Sequence, residues 1–173
     1  MKQILISSII ALSIITSFAQ TQSSDHLTFK GVPIDGTLNE YVAKMKQNGF
    51  TLVKIKDGVA ILRGDFAASK DCIVGVAALK QEDLVSKITV IFPERDTWSS
   101  LEGNYFNLKE MLTQKYGEPS ECVERFDTYS EPRDDNARMH EVEMDKCKYF
   151  TIYKTDKGII ELSIDHDSIF SCF

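Results

Sequence analysis

Nucleophilic or metal-assisted chemistry in this 173-residue sequence would fall first to its four cysteines and three histidines. The cysteines are Cys72, Cys122, Cys147 and Cys172, separated by 50, 25 and 25 residues, and the histidines are His26, His140 and His166. A zinc site needs ligands clustered at short intervals, and no CxxC or HxxxH pattern is present. A catalytic thiol needs a base within hydrogen-bond reach, and no local signature joins a cysteine to a histidine. Serine chemistry lacks its G-x-S-x-G elbow. Nucleotide binding lacks both G-x-G-x-x-G and the Walker pattern. Gly58, Gly64 and Gly75 stand alone and read as turn, bulge or close-packing positions in a sheet. Asp165-His-Asp167 and the acidic stretch Glu131 to Asp135 offer oxygens to a hard cation. Without EF-hand spacing, solvated surface charge is the simpler reading. Two-carboxylate glycosidase chemistry depends on a separation across a cleft that spacing alone does not reveal. The sequence therefore assigns no catalytic residue, no metal ligand and no cofactor.

The cysteines carry a structural expectation instead, because the chain opens like an exported protein. Lys2, the apolar run Ile4 to Ile15 and the small residues Ser17 and Ala19 follow the charged, apolar and cleavable order of a secretory leader over residues 1–19. The run is interrupted by Ser7, Ser8 and Ser13 and is short for the ~30 Å of a bilayer core, so no stable membrane anchor is expected after cleavage. No cysteine stands at the cleavage point to take a lipid. The mature part, residues 20–173, is then free in the periplasm or outside the cell, where thiols oxidise. Four cysteines permit three pairings. The expected one joins Cys122 to Cys147 and Cys72 to Cys172, each bridge contributing ~2–4 kcal/mol by restricting the unfolded chain.

Charge narrows the partners. With 26 acidic and 20 basic residues the formal net charge is −6, and no basic stripe is visible, so nucleic acid is not an expected partner. A hydrophobic content of 43%, with ten Phe and six Tyr, is ample for a core.

The elements that must position these residues form two similar series. Residues 20–30 are polar and read as a tether. A first half, about 31–93, opens with Thr37-Leu-Asn-Glu40, the form of a capping box. Leu38, Tyr41, Val42 and Met45 then recur at helical spacing up to Gly49. Short apolar or alternating runs at 50–55, 59–67, 72–79 and 84–92 read as an antiparallel meander, with Asp57-Gly58 as its clearest hairpin turn. A second half, about 97–173, repeats the plan. Trp98, Leu101, Tyr105, Leu108, Leu112 and Tyr116 form a helical stripe ended by Gly117 and Pro119. Strand patterns follow at 121–129, 147–154 and 158–165, with a weaker one between 137 and 143. Gly49 matches Gly117, and Lys70-Asp-Cys72 matches Asp145-Lys-Cys147 at the start of a third strand, with about seven extra residues around Ser130 to Asn136. The expected fold is α+β, a tandem duplication of a helix plus a four-stranded antiparallel sheet, in one mature domain.

Lys115-Tyr-Gly-Glu-Pro119, preceded by Trp98 and Tyr105, and Leu62-Arg-Gly-Asp-Phe66 ahead of Asp71-Cys72, resemble secreted Bacteroides-type proteins of unassigned function. In architecture, the tandem helix-plus-four-strand plan is similar to beta-lactamase inhibitory protein. None of that inhibitor's binding residues is recognisable, so the resemblance implies a topology and no site.

Among aromatic residues that anchor interfaces, Trp98 and Tyr105 lie on the helical stripe and belong to the core, whereas Phe106 and Tyr129 fall off it and are the expected exposed pair. The leading expectation is a secreted, non-enzymatic module that binds or inhibits another protein. The alternatives are a hydrolase whose site is assembled only in the fold, with His140 or His166 beside a carboxylate in a cleft, and a small-ligand carrier with a closed apolar pocket.

Overall fold

The computed structural model describes residues 25–79 and 81–165, and the backbone of 169–172. The leader, its cleavage point, His166, Asp167 and the Cys172 side chain lie outside the described residues.

The segment read as a tether is built into the fold at its end. Thr28–Phe29 (β1) and Val32–Pro33 (β2) form a small antiparallel ribbon, and Leu27, Phe29, Val32 and Ile34 are buried. Four apolar side chains within eight residues outweighed the polarity of their neighbours. Helix α1, Leu38–Gln47, starts at the expected capping box. Thr37 Oγ1 accepts from the Glu40 amide at 3.4 Å, and Glu40 Oε2 accepts from the Thr37 amide at 3.1 Å. Strands β3 (Thr51–Lys56), β4 (Val59–Phe66), β5 (Ser69–Leu79) and β6 (Leu84–Ile91) follow as a meander. Asp57 and Gly58 both take positive φ, as a two-residue primed turn requires.

In the second half, α2 spans Trp98–Tyr116 and β7 spans Glu121–Phe126. The weak strand pattern at 137–143 is a helix, α3, Asp135–Glu143. Asp134 caps it, its Oδ1 accepting from the Ala137 amide at 2.9 Å, and Ala137, Arg138, Met139 and Glu141 favour a helix once it is capped. Strands β8 (Cys147–Thr155), β9 (Gly158–Ile164) and β10 (Ile169–Cys172) complete the chain.

All but the ribbon join one eight-stranded antiparallel sheet in the order β3-β4-β5-β6-β10-β9-β8-β7. The two meanders meet through their last strands, Ile169 pairing with Ile91 and Cys172 with Ile88. This order corrects the matching of cysteines. Cys147 opens the second strand of its half, whereas Cys72 lies in the third strand of its own. The extra length of the second half is residues 127–146, including α3, where the first half has only Asp57-Gly58.

All three helices cover one face. Ala60 and Leu62 of β4, Cys72, Val74 and Val76 of β5, and Ile88 and Val90 of β6 are buried beneath Tyr41, Val42 and Met45 of α1. On the other half, Thr151, Tyr153, Ile160 and Leu162 are buried beneath α2. Trp98 packs against Phe126 and Tyr149 at ring centroid distances of 4.9 and 5.1 Å. Asp135 of α3 ties the two helix starts together, accepting from the Trp98 and Ser99 amides at 2.9 and 2.8 Å and from the Ser99 hydroxyl at 2.6 Å.

Candidate interaction face

Because strand side chains alternate between faces, the residues between the buried ones lie on the side away from the helices. The ladder aligns them in rows. Ile73 of β5 stands between Arg63 of β4 and Ile91 of β6, and across the join Val123 of β7 pairs with Phe150 of β8, which pairs with Ser163 of β9. The next row has Ile61, Gly75 and Thr89 in the first half and Glu161, Ile152 and Glu121 in the second. None of these side chains is buried, although most are shielded by their neighbours. No described helix packs over them. Eight strands about 4.8 Å apart, each running about 20 Å, make a face of roughly 700 Å², close to the ~800 Å² each partner contributes to a standard protein interface.

Phe106 and Tyr129 are both exposed, but neither lies on this face. Phe106 projects from α2, edge-on to Tyr105 at 5.3 Å, and Tyr129 stands in the loop after β7. Trp98 and Tyr105 are buried in the core.

The expected disulfides are not formed. Cys72, Cys122 and Cys147 are free thiols. Cys122 pairs with Thr151, while Cys147 pairs with Phe126. That offset of four ladder positions along and one strand across puts their Cα atoms about 14 Å apart, beyond the ~7 Å limit for a bridge. The backbone of Cys172 aligns with Ile88, which aligns with Val76. It is therefore two strands across and four positions along from Cys72, about 16 Å by the same spacings. The spacing in sequence carried no information about the register that separates them.

Cys122 instead belongs to a polar network that sequence reading missed. Lys109 of α2 donates to Cys122 Sγ at 3.2 Å and to Glu124 Oε1. The Cys122 thiol donates to Glu124 at 3.3 Å. Thr151, fully buried, donates to Cys122 Sγ at 3.6 Å and shares a 2.5 Å hydrogen bond with the Tyr105 hydroxyl. Burial pushes the Tyr105 hydroxyl well above its ordinary range. Burial pushes Glu124 up as well, but the hydrogen bonds from Lys109 and Cys122 outweigh it and hold the carboxyl below its usual value. The signal available in sequence was the i, i+2 pair Cys122 and Glu124 on one strand face; the helix that brings Lys109 to them was not. The network fixes α2 to β7 and leaves Cys122 as an accessible thiol.

The alternatives gain little from the geometry. His140 lines an open cleft of about 550 Å³ with Glu94, Asp96, Glu143 and Asp165. Its contact to Glu143 is 3.9 Å between two largely exposed side chains, an arrangement of small energetic consequence in water. No serine, threonine or cysteine lines that cleft. Among the described residues no group of three His, Cys, Asp or Glu is arranged for a metal ion. An apolar cavity between α2 and the sheet, lined by Phe92, Leu101, Leu108, Leu162 and Ile164, measures about 30 Å³, space for about one water molecule. No described helix is long and apolar enough to cross a membrane.

Fold and site together define an α+β protein in which helices cover one face of an antiparallel sheet and leave the other face open. Comparison with protein-family models, curated proteins and solved structures finds no match.

Proposed function

We propose that this chain is an exported, non-catalytic binding module that engages another protein through the open face of its eight-stranded sheet, in the manner of an inhibitor. The observation that carries the reading is the uncovered face itself, a continuous platform of interface size with Ile61, Ile73, Ile91, Phe150 and Ile152 facing outward. These side chains are half-buried by their strand neighbours, and an apolar patch rimmed by polar residues is the kind of surface that marks an interaction site. The strand order, two four-strand meanders each preceded by a helix and joined through their last strands, supports a tandem duplication as the origin of the platform. Export remains part of the proposal on the strength of the leader-like residues 1–19.

The test is affinity capture from the producing cells and their surrounding medium with the purified protein, run beside an Ile73→Lys, Phe150→Lys double variant and a Phe106→Ala, Tyr129→Ala double variant. A saturable protein partner lost only with the sheet variant supports the proposal. A partner lost only with the Phe106 and Tyr129 variant, or retained by both, overturns it.

A further inference from the structure

The charges on the open face differ from those of the chain as a whole. One row across the sheet reads Lys56, Val59, Ala77 and Lys87 in the first half and Ile159 and Lys154 in the second, with no acidic residue in it. Elsewhere on the same face Lys54 is opposite Ile61, Arg63 is opposite Ile73, and Arg125 pairs with Lys148. Against these seven cations the face carries Glu121 and Glu161 and, at its far corner, Asp65 and Asp71, and Asp57 in the turn stands 4.0 Å from Lys56 in an exposed pair of little strength. The full chain has the opposite balance, 20 basic and 26 acidic residues. Among the described residues most acidic groups therefore lie on the helices and loops, and cations outnumber them on the sheet face.

Resting on the binding-module reading above, we infer that the partner is an acidic protein, with an apolar contact centre and carboxylates placed to meet the row of Lys56, Lys87 and Lys154. An apolar middle with a charged rim is the anatomy of protein interfaces, and opposite potentials speed the encounter and select against wrong partners. A nucleic acid or an anionic bilayer fits less well. Glu121 and Glu161 occupy the row between the apolar row and the lysine row, where they would repel a dense array of phosphates.

The experiment is a titration of the ¹⁵N-labelled protein at physiological salt with a random glutamate–tyrosine copolymer, an acidic polypeptide with apolar side chains. Short duplex DNA and anionic phosphatidylglycerol vesicles are titrated in parallel. The expected result is amide shifts centred on β4 to β6 and on β8 and β9 with the copolymer alone. Affinity should fall at least tenfold in Lys56→Glu, Lys87→Glu, Lys154→Glu, and stay unchanged in Lys44→Glu, Lys46→Glu on α1. Circular dichroism and the milder Lys→Gln triple variant separate lost binding from lost folding. Shifts centred on the helices, indifference to the charge reversal, or equal binding of DNA or vesicles at this face would overturn the inference. The two proposals also fail separately. A captured partner that leaves the Ile73 and Phe150 variant but stays on the lysine variant refutes the acidic partner and keeps the docking face, whereas a partner that stays on both refutes the two together.

Discussion

Gly64→Ala is a sharp test of how the first half is packed. Gly64 lies opposite Cys72 on the helix-covered face of β4, and a Cβ there would stand 2.5 Å from Phe50 Cδ1 and 2.9 Å from Cγ and Cε1. The Phe50 ring has little room to retreat, being 4% exposed and 5.9 Å from the Phe29 ring, which is itself 4.9 Å from Phe66. Gly64 does not adopt positive φ, so alanine incurs no backbone strain and gains ~0.4–1 kcal/mol from a less flexible unfolded chain. Overpacking costs ~1–3 kcal/mol, leaving a net loss of about 1–2 kcal/mol. At ~2–4 °C per kcal/mol for a protein of this size, Tm should fall by about 2–8 °C in thermal circular dichroism. Phe50→Leu removes the ring at its own cost. In that background Gly64→Ala should become neutral or stabilising, giving a coupling of about 1–3 kcal/mol. Equal effects in both backgrounds, or a rise in Tm in the wild type, would refute the steric argument.

Three further outcomes are expected. In a Cys172→Ser variant, Ellman's reagent at pH 8 should modify one thiol, Cys122, in the native protein, because Cys72 and Cys147 are buried and burial pushes the Cys147 thiol up to about 12; rapid modification of three thiols would refute that burial. Asp135 is held below the usual carboxylate range, chiefly by its hydrogen bond to the Ser99 side chain, so its contribution is present above the unfolded value of ~3.9 and is lost as pH falls through the depressed folded value. Asp135→Asn should therefore lower Tm at pH 7 by an amount that shrinks in acid, and a gap constant from pH 7 to pH 2 would count against the cap between α2 and α3. Ala67 and Ala68 both take positive φ, 48° and 63°, in the turn from β4 to β5; replacing them with Asn-Gly, the pair such turns favour, should add about 1 kcal/mol in urea unfolding, and no gain would mean the strain is absorbed elsewhere.

Local chemistry made the first half readable. The capping box at Thr37, the Asp57-Gly58 turn and the stripe Leu38 to Met45 each act within a few residues, and the strands between them formed as expected. The α2 stripe was equally plain. What failed was decided at longer range or by weak preference. Residues 137–143 alternate loosely enough to imitate a strand, and the cap at Asp134 with helix-favouring neighbours decided otherwise. The cysteine match rested on that error, since counting a strand there makes Cys147 open a third strand instead of a second. The open face was hidden for a different reason. Val59-Ala-Ile-Leu62 and Ile73-Val-Gly-Val76 are apolar at both parities, the pattern of strands covered on both sides, and only the placement of α1, α2 and α3 on one side leaves Ile61 and Ile73 uncovered.

That mismatch is the strongest argument for a partner. A strand whose outer face met only water would be expected to alternate apolar with polar residues; β9 does, with Glu161 and Ser163 outward, but β4 and β5 do not. The edges of the sheet point away from the alternative of strand addition. In β3 the register shifts between Leu52 and Lys54, and Lys54 and Lys56 follow, a bulge and charges of the kind that block pairing with another chain. At the opposite edge β7 carries Glu121, Glu124 and Arg125 within six residues. With both edges discouraged from pairing, the favoured mode of association is face-on, and substitutions at Ile73 and Phe150 should disrupt it while charge changes in β3 or β7 edge positions off that face should not.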